Sequence, residues 1–217
     1  QTYDYYFEPT AAYFAIKKAS EPLHIQWNPA TDEVEVVNYS AGTRKGLTAK
    51  VQILNMDGSV AWEKEATVDS NEDTTNKCIK LAFPVNLSKV HFIKMVLTEN
   101  GKVVSDNFYH RSLEENNYQD LRQLAKVALQ STTTVDKHAD GTWSAVSVIE
   151  NKTSTPALMI RLNVVGNKDG QQLLPVFYSD NYFSLLPGEK KEVRMSWKDE
   201  DTRGNEGKVL ITGYNVE

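Results

Sequence analysis

At 217 residues the chain is long for one β-sandwich and sufficient for two domains of about 100 residues, each with its own core. A charged fraction of 24% and a net charge of −5 leave no basic face for a nucleic acid backbone, and no apolar run reaches the roughly 18 residues needed to span a bilayer, so neither nucleic acid nor membrane is an expected partner. The single cysteine, Cys78, excludes an intrachain disulfide and a Cys-based zinc set.

Residues 2–10 read TYDYYFEPT, an aromatic density unlike a free terminus, and the N-terminus carries none of the zones of a signal peptide; the sequence reads as an excised or processed piece. A helix is expected from Pro9-Thr10, capped by Thr10, with Ala12, Phe14 or Ile16 against a neighbour and Lys17 and Lys18 outward. Glu21-Pro22 ends it, because the residue before proline is driven out of the α region.

Period-two runs follow. LHIQWN, EVEVVNYS, LTAKVQIL, SVAWEKEATV, CIKLAF, HFIKMVLTE and KVVSDNFYH are of strand length and rich in β-branched and aromatic residues. Asp57-Gly58 and Asn100-Gly101 between them suit tight hairpin turns, and the pattern predicts an immunoglobulin-like sandwich. The polar stretch SLEENNYQDLRQL places a domain boundary after Ser112. Strands resume with LAKVALQSTTTV, TWSAVSVIEN, PALMIRLNVV, LLPVFYS, YFSLL, KKEVRMSW and KVLITGYNV. Leu158, Ile160, Leu162 and Val164 share one phase, as do Val193, Met195 and Trp197. The fold class predicted is all-β: two immunoglobulin-like sandwiches in series, 22–112 and 113–217, after a lead-in segment and short helix at 1–21.

Candidate chemistry is sparse. His24, His91, His110 and His138 lack a nucleophile pattern or an H-E-x-x-H spacing and read as structural or surface residues. In KDEDTRGNEG, Asp199 and Asp201 fit the first two ligand positions of a calcium loop, but Arg203 stands where an oxygen is required, so a hairpin loop is expected and no metal. Trp27, Trp62, Trp143 and Trp197 supply flat rings on which a sugar could stack, yet each lies within a strand run and core packing is the favoured role. The sequons at Asn38, Asn86 and Asn151 are about as many as chance provides in an Asn- and Thr-rich chain. In YSDNYFSLLPGE, Asp180-Asn181 can close an Asx turn, and Pro187-Gly188 fit the centre of a type II turn.

The stretch LLPVFYSDNYFSLLPGEKKEV (Leu173 to Val193), preceded by NKTSTPALMIRL, resembles the last β-sandwich domain of family 2 glycoside hydrolases of the exo-β-glucosaminidase and β-mannosidase type. DYYFEPTAAYFAIKKASEPLHIQ likewise resembles the segment leaving the catalytic barrel of such enzymes, so the resemblance covers nearly the whole chain. It implies non-catalytic C-terminal accessory domains. The family's two catalytic glutamates belong to a (β/α)8 barrel of about 250 residues, and no position here corresponds to them. The parent would hydrolyse β-linked mannosides or glucosaminides with retention, without a cofactor, in the periplasm, at the cell surface or after secretion. The catalytic barrel of the parent chain is the implied partner, with a glycan as a further one. Tyr13, Phe14 and Ile16 are the candidates for docking on the barrel, and Asp180, Asn181 and Tyr182 for touching substrate. The alternatives are an independent carbohydrate-binding module and an adhesive or scaffolding sandwich pair.

Overall fold

The computed structural model describes all 217 residues. The helix α1 (Ala11–Ala19) precedes seven strands: β1 (Leu23–Asn28), β2 (Glu33–Asn38), β3 (Arg44–Asn55), β4 (Val60–Ser70), β5 (Thr74–Lys80), β6 (Val90–Glu99) and β7 (Lys102–Ser112). A 3-10 turn at Gln119–Gln123 leads to seven more: β8 (Gln130–Lys137), β9 (Thr142–Glu150), β10 (Ala157–Gly166), β11 (Phe177–Tyr178), β12 (Phe183–Leu185), β13 (Lys190–Lys198) and β14 (Gly207–Thr212). The chain divides into two compact units, one Ile16–Leu124 and the other Gln1–Ala15 together with Ala125–Glu217. The fold is all-β with immunoglobulin-like sandwiches in series and one short helix near the N-terminus.

The Ile16–Leu124 unit holds two antiparallel sheets, β1-β2-β5 and β4-β3-β6-β7. Alternation sends Ile25, Val34 and Val36 from one sheet, and Val51, Ile53, Ile93 and Met95 from the other, into one core. Asn100 and Gly101 close the β6-β7 hairpin with φ of 51° and 77°, the two consecutive positive values of a type I′ turn. Lys18, expected to point outward, instead pairs with Glu21 at 2.9 Å and Asp106 at 2.7 Å. Glu21 also bonds His24 and Ser105, and these bonds outweigh burial to hold its carboxyl below the usual range.

The other unit repeats the plan with sheets β12-β10-β14 and β11-β13-β9-β8. Ile160, Leu162 and Val164 of β10 meet Val193, Met195 and Trp197 of β13 in its core, as their phases require. Leu158, expected in the same phase, is buried outside that cluster: the ladder shifts register between Ala157 and Ile160, with Met159 at φ 52°, and Ala157 faces the core instead. Several expected elements differ. The strand expected from Leu124 begins only at Gln130, because the preceding residues are tied to the C-terminus: Val127 donates to the Asn215 carbonyl at 2.8 Å, and the Asn215 amide to the Ala125 carbonyl at 3.0 Å. LLPVFYS shrinks to Phe177–Tyr178, since Pro175 has no N–H for a ladder. KDEDTRGNEG is not a hairpin loop: it turns through a 3-10 segment (Asp199–Thr202) and crosses from the sheet of β13 to that of β14. Asp199 there accepts from Trp143 Nε1 at 2.7 Å and from Lys137 Nζ at 2.8 Å. Of the tryptophans Trp197 is fully buried, and Trp143 stacks parallel to it at 6.3 Å.

Candidate functional site

Gln1–Ala15, the first part of the lead-in expected at 1–21, belongs with the C-terminal sandwich, and the two meet in an aromatic site. Its first element is a tight loop. Asp4 Oδ1 accepts from the backbone N–H groups of Tyr6 at 2.8 Å and Glu8 at 2.9 Å, and the Asp4 carbonyl accepts from Phe7 N at 3.2 Å. Tyr3 and Pro9 bridge at its base. Phe7 sits at the left-handed φ of 64°, an unfavourable conformation for a bulky residue, and the loop presents Tyr5, Tyr6 and Phe7 at 88%, 68% and 73% exposure.

Helix α1 supplies the second element. Thr10 does not cap it as expected: its hydroxyl donates back to the Gln1 and Thr2 carbonyls, at 2.9 Å and 3.2 Å. Of the three apolar positions expected to find a neighbour, only Phe14 is buried, at 5% exposure; Ala12 is exposed and Ile16 is 55% exposed. The Phe14 ring lies 6.0 Å from Tyr182 and 6.5 Å from Tyr178, and Tyr13 contacts both Phe14 and Tyr3. Glu8 forms an ion pair with Arg161, whose guanidinium lies 6.0 Å from the Tyr182 ring.

The third element is the Ser179-to-Tyr182 corner. Asp180 forms an ion pair with Lys191 and accepts from Asn181 N at 2.8 Å. Asn181 is buried and its amide copies a strand residue: Oδ1 accepts from Leu162 N at 2.8 Å and Nδ2 donates to the Leu162 carbonyl at 2.9 Å. The ladder between β10 and β12 ends at Ile160 and Phe183, so this side chain extends it after the backbone has turned away at Tyr182, where φ is 57°. That turn aims Tyr182 at the lead-in. Tyr178 accepts from Val164 N at 3.2 Å; burial pushes its phenol up to about 12, so it stays neutral. Pro187-Gly188 form the expected type II turn, with Gly188 at φ 81° and Glu189 N donating to the Leu186 carbonyl at 3.0 Å.

Of the residues singled out in the sequence, the fold thus brings Tyr13, Phe14 and Tyr182 together. It commits Asp180 and Asn181 to partners in their own sandwich and leaves Ile16 exposed. Tyr5, Tyr6, Phe7 and Phe177, none of them among the expected site residues, are exposed beside this cluster, Phe177 at 69%, and three of them lie in the aromatic-dense TYDYYFEPT. Tyr6, Phe7 and Phe177 rim a cavity of about 400 Å³ floored by Phe14, Leu174 and Val176. A groove beside it runs between the same loop and Lys168, Asp169, Asp201 and Arg203. Such a site can receive apolar or planar groups; it holds no nucleophile. Cys78 lies elsewhere, in β5, where burial pushes its thiol up to about 11 and its sulfur donates to the Val34 carbonyl.

Comparison with known proteins gives two family matches. The exo-β-D-glucosaminidase Ig-fold domain matches residues 107–216, and the mannosidase Ig/CBM-like domain matches residues 33–112. The chain is 32% identical to an exo-β-D-glucosaminidase of Streptomyces avermitilis, over 100% of this chain and 26% of that protein. It is 31% identical to one of Hypocrea jecorina, over 99% and 26%. The crystal structure of Amycolatopsis orientalis exo-chitosanase superposes with a TM-score of 0.91 at 29% identity, covering 100% of this chain and 28% of that one. The chain therefore spans about a quarter of the length of the curated relatives it matches.

Proposed function

Because this chain belongs to the exo-β-D-glucosaminidase Ig-fold domain family, we propose that it forms the non-catalytic accessory sandwiches of a retaining family 2 glycoside hydrolase acting on β-linked glucosaminides. The observation that carries this reading is the similarity to exo-β-D-glucosaminidases over the entire chain but only a quarter of theirs. In this reading residues 1–21 are the lead-in from a catalytic barrel, 22–112 the first accessory sandwich and 113–217 the second, all C-terminal to the barrel. The barrel supplies the acid and nucleophile carboxylates, and the sandwiches support it.

The Ser179-to-Tyr182 corner serves this role by holding the lead-in rather than by touching sugar. Asp180 and Asn181 are consumed by Lys191 and Leu162, and Tyr182 by Phe14. The test is an assay of the full-length parent on aryl β-glucosaminide and aryl β-mannoside, with residues 1–217 alone as the second sample. Hydrolysis of the glucosaminide with retention by the parent, and of neither substrate by the 217 residues, is the expected result. A parent that hydrolyses neither, or a barrel equally stable and active without these residues, overturns it.

A further inference from the structure

We propose that the Asp4-locked loop carrying Tyr5, Tyr6 and Phe7, with Phe177 and the cavity beside it, is the seat of the catalytic domain of the same polypeptide. This inference rests on the accessory-domain reading above. It moves the docking face from Phe14, which the C-terminal sandwich has already buried, to the aromatics that the lead-in holds outward.

The loop is built for presentation. Three consecutive aromatics remain 68% or more exposed while Asp4 fixes their backbone through two side-chain hydrogen bonds and Phe7 holds a left-handed φ. Each ring offers on the order of 150–250 Å² of surface, and nothing within the chain covers most of it. Rigid aromatic anchors lose little side-chain entropy when a partner closes over them, which is why such residues dominate interface energetics. A protruding ridge stands beside a cavity of about 400 Å³, so the face can both insert into a partner and receive a side chain from it.

Charge argues for a protein surface rather than a charged sugar. Glu8 is paired with Arg161, and Asp4 Oδ1 faces the backbone N–H groups of its own loop, so the exposed rings carry no unpaired carboxylate cluster that would favour an aminoglycan. The adjacent groove carries Lys168 and Arg203 against Asp169 and Asp201, a balanced polar rim around an apolar centre. Size identifies the occupant. The relatives match this chain over 26% of their length, so about three quarters of such a polypeptide lies outside it and is tethered to it.

The experiment uses the full-length enzyme. Its tyrosines are nitrated in the native state, and Tyr5 and Tyr6 are expected to react at least about tenfold more slowly than an unstructured tyrosine peptide, because an interface core excludes water. A photoreactive phenylalanine analogue placed at Tyr5 is expected to cross-link to peptides of the catalytic domain. Reaction of both tyrosines at the rate of the free peptide overturns the proposal, as does a cross-link to any other region. Protection that appears only on adding a glucosamine oligosaccharide makes the face a sugar site, and protection that disappears on dilution makes it a contact between copies; either result overturns it. Glycosidase activity is read on the same sample, so protected tyrosines in an enzyme without glucosaminidase activity would defeat the proposed function and leave the docking face standing.

Discussion

Two of the three sequons show how much a single buried side chain can specify. Asn38 and Asn151 are fully buried, each at the end of a strand, and they share one bonding pattern, to which Asn38 adds a bond to the Asn71 carbonyl at 3.2 Å. The Oδ1 of Asn151 accepts from Thr153 N and Oγ1, and its Nδ2 donates to the carbonyls of Thr155 at 2.8 Å and Leu185 at 3.0 Å. Asn38 does so with Ser40, Gly42 and Ser70. The N-x-S/T pattern is here a turn whose hydroxyl bonds the asparagine, and only Asn86 is exposed. Asn151→Ala leaves the Leu185 and Thr155 carbonyls without this donor and is expected to cost about 2–3 kcal/mol in urea unfolding, whereas Asn86→Ala should change stability by less than about 0.5 kcal/mol. Titration acts at the same scale. Burial lowers the pKa of His110, held between Phe92 and Phe108, and of His91, where the Arg111 charge opposes protonation further. The unfolded chain takes up those protons near pH 6.5, whereas the folded chain does so only at lower pH. Stability of the Ile16–Leu124 unit is therefore expected to fall as pH drops from about 6.5, and His110→Phe should flatten that slope in melts between pH 7 and pH 5.

Elements tested how far local pattern reaches. Strand phases in β13 and in β10 from Ile160 onward were legible because alternation is imposed by the pleat itself. Asn100-Gly101 was legible because few residue pairs accept two positive φ values, and Pro187-Gly188 because proline presets the first turn position and glycine accepts the positive φ of the second. The helix α1 was legible as a helix but not in its contacts. A nine-residue helix with alanines and two lysines offers several faces, and which one is buried depends on what stands opposite. Phe14 was buried because Tyr178 and Tyr182 stand there, and Tyr182 stands there because Asn181 completes a ladder that turned its neighbour outward. Phe14→Ala should therefore detach the lead-in: amide exchange of residues 3–15 is expected to rise by at least about tenfold, the equivalent of 1.4 kcal/mol, while β9, β10 and β13 keep their protection.

For the molecule as a whole, chain order and packing order differ. Gln1–Ala15 precedes the first sandwich in sequence but belongs with Ala125–Glu217. Removing Gln1–Ala15 is thus expected to weaken the distant unit. With Trp27 and Trp62 replaced by Phe, the fluorescence of Trp143 and Trp197 reports that unit, and its melting midpoint should drop by about 5 °C or more. An unchanged midpoint would show that the Phe14 and Glu8 contacts add nothing to it.

By itself the sequence determined the class of fold, the strand phases, the tight turns and, through one motif-bearing stretch, the enzyme family it resembles. Fold class, phases and turns are written within a few residues, where backbone sterics and the two-residue period leave few choices, whereas the family likeness rests on the wording of whole stretches such as Leu173 to Val193. Only the tertiary structure decided that Gln1–Ala15 joins the C-terminal sandwich, that Tyr182 meets Phe14 while Asp180 and Asn181 bond within their own sandwich, and that Tyr5, Tyr6 and Phe7 are the aromatics left facing outward. Burial depends on partners more than a hundred residues away along the chain, and no local period records which partner will arrive.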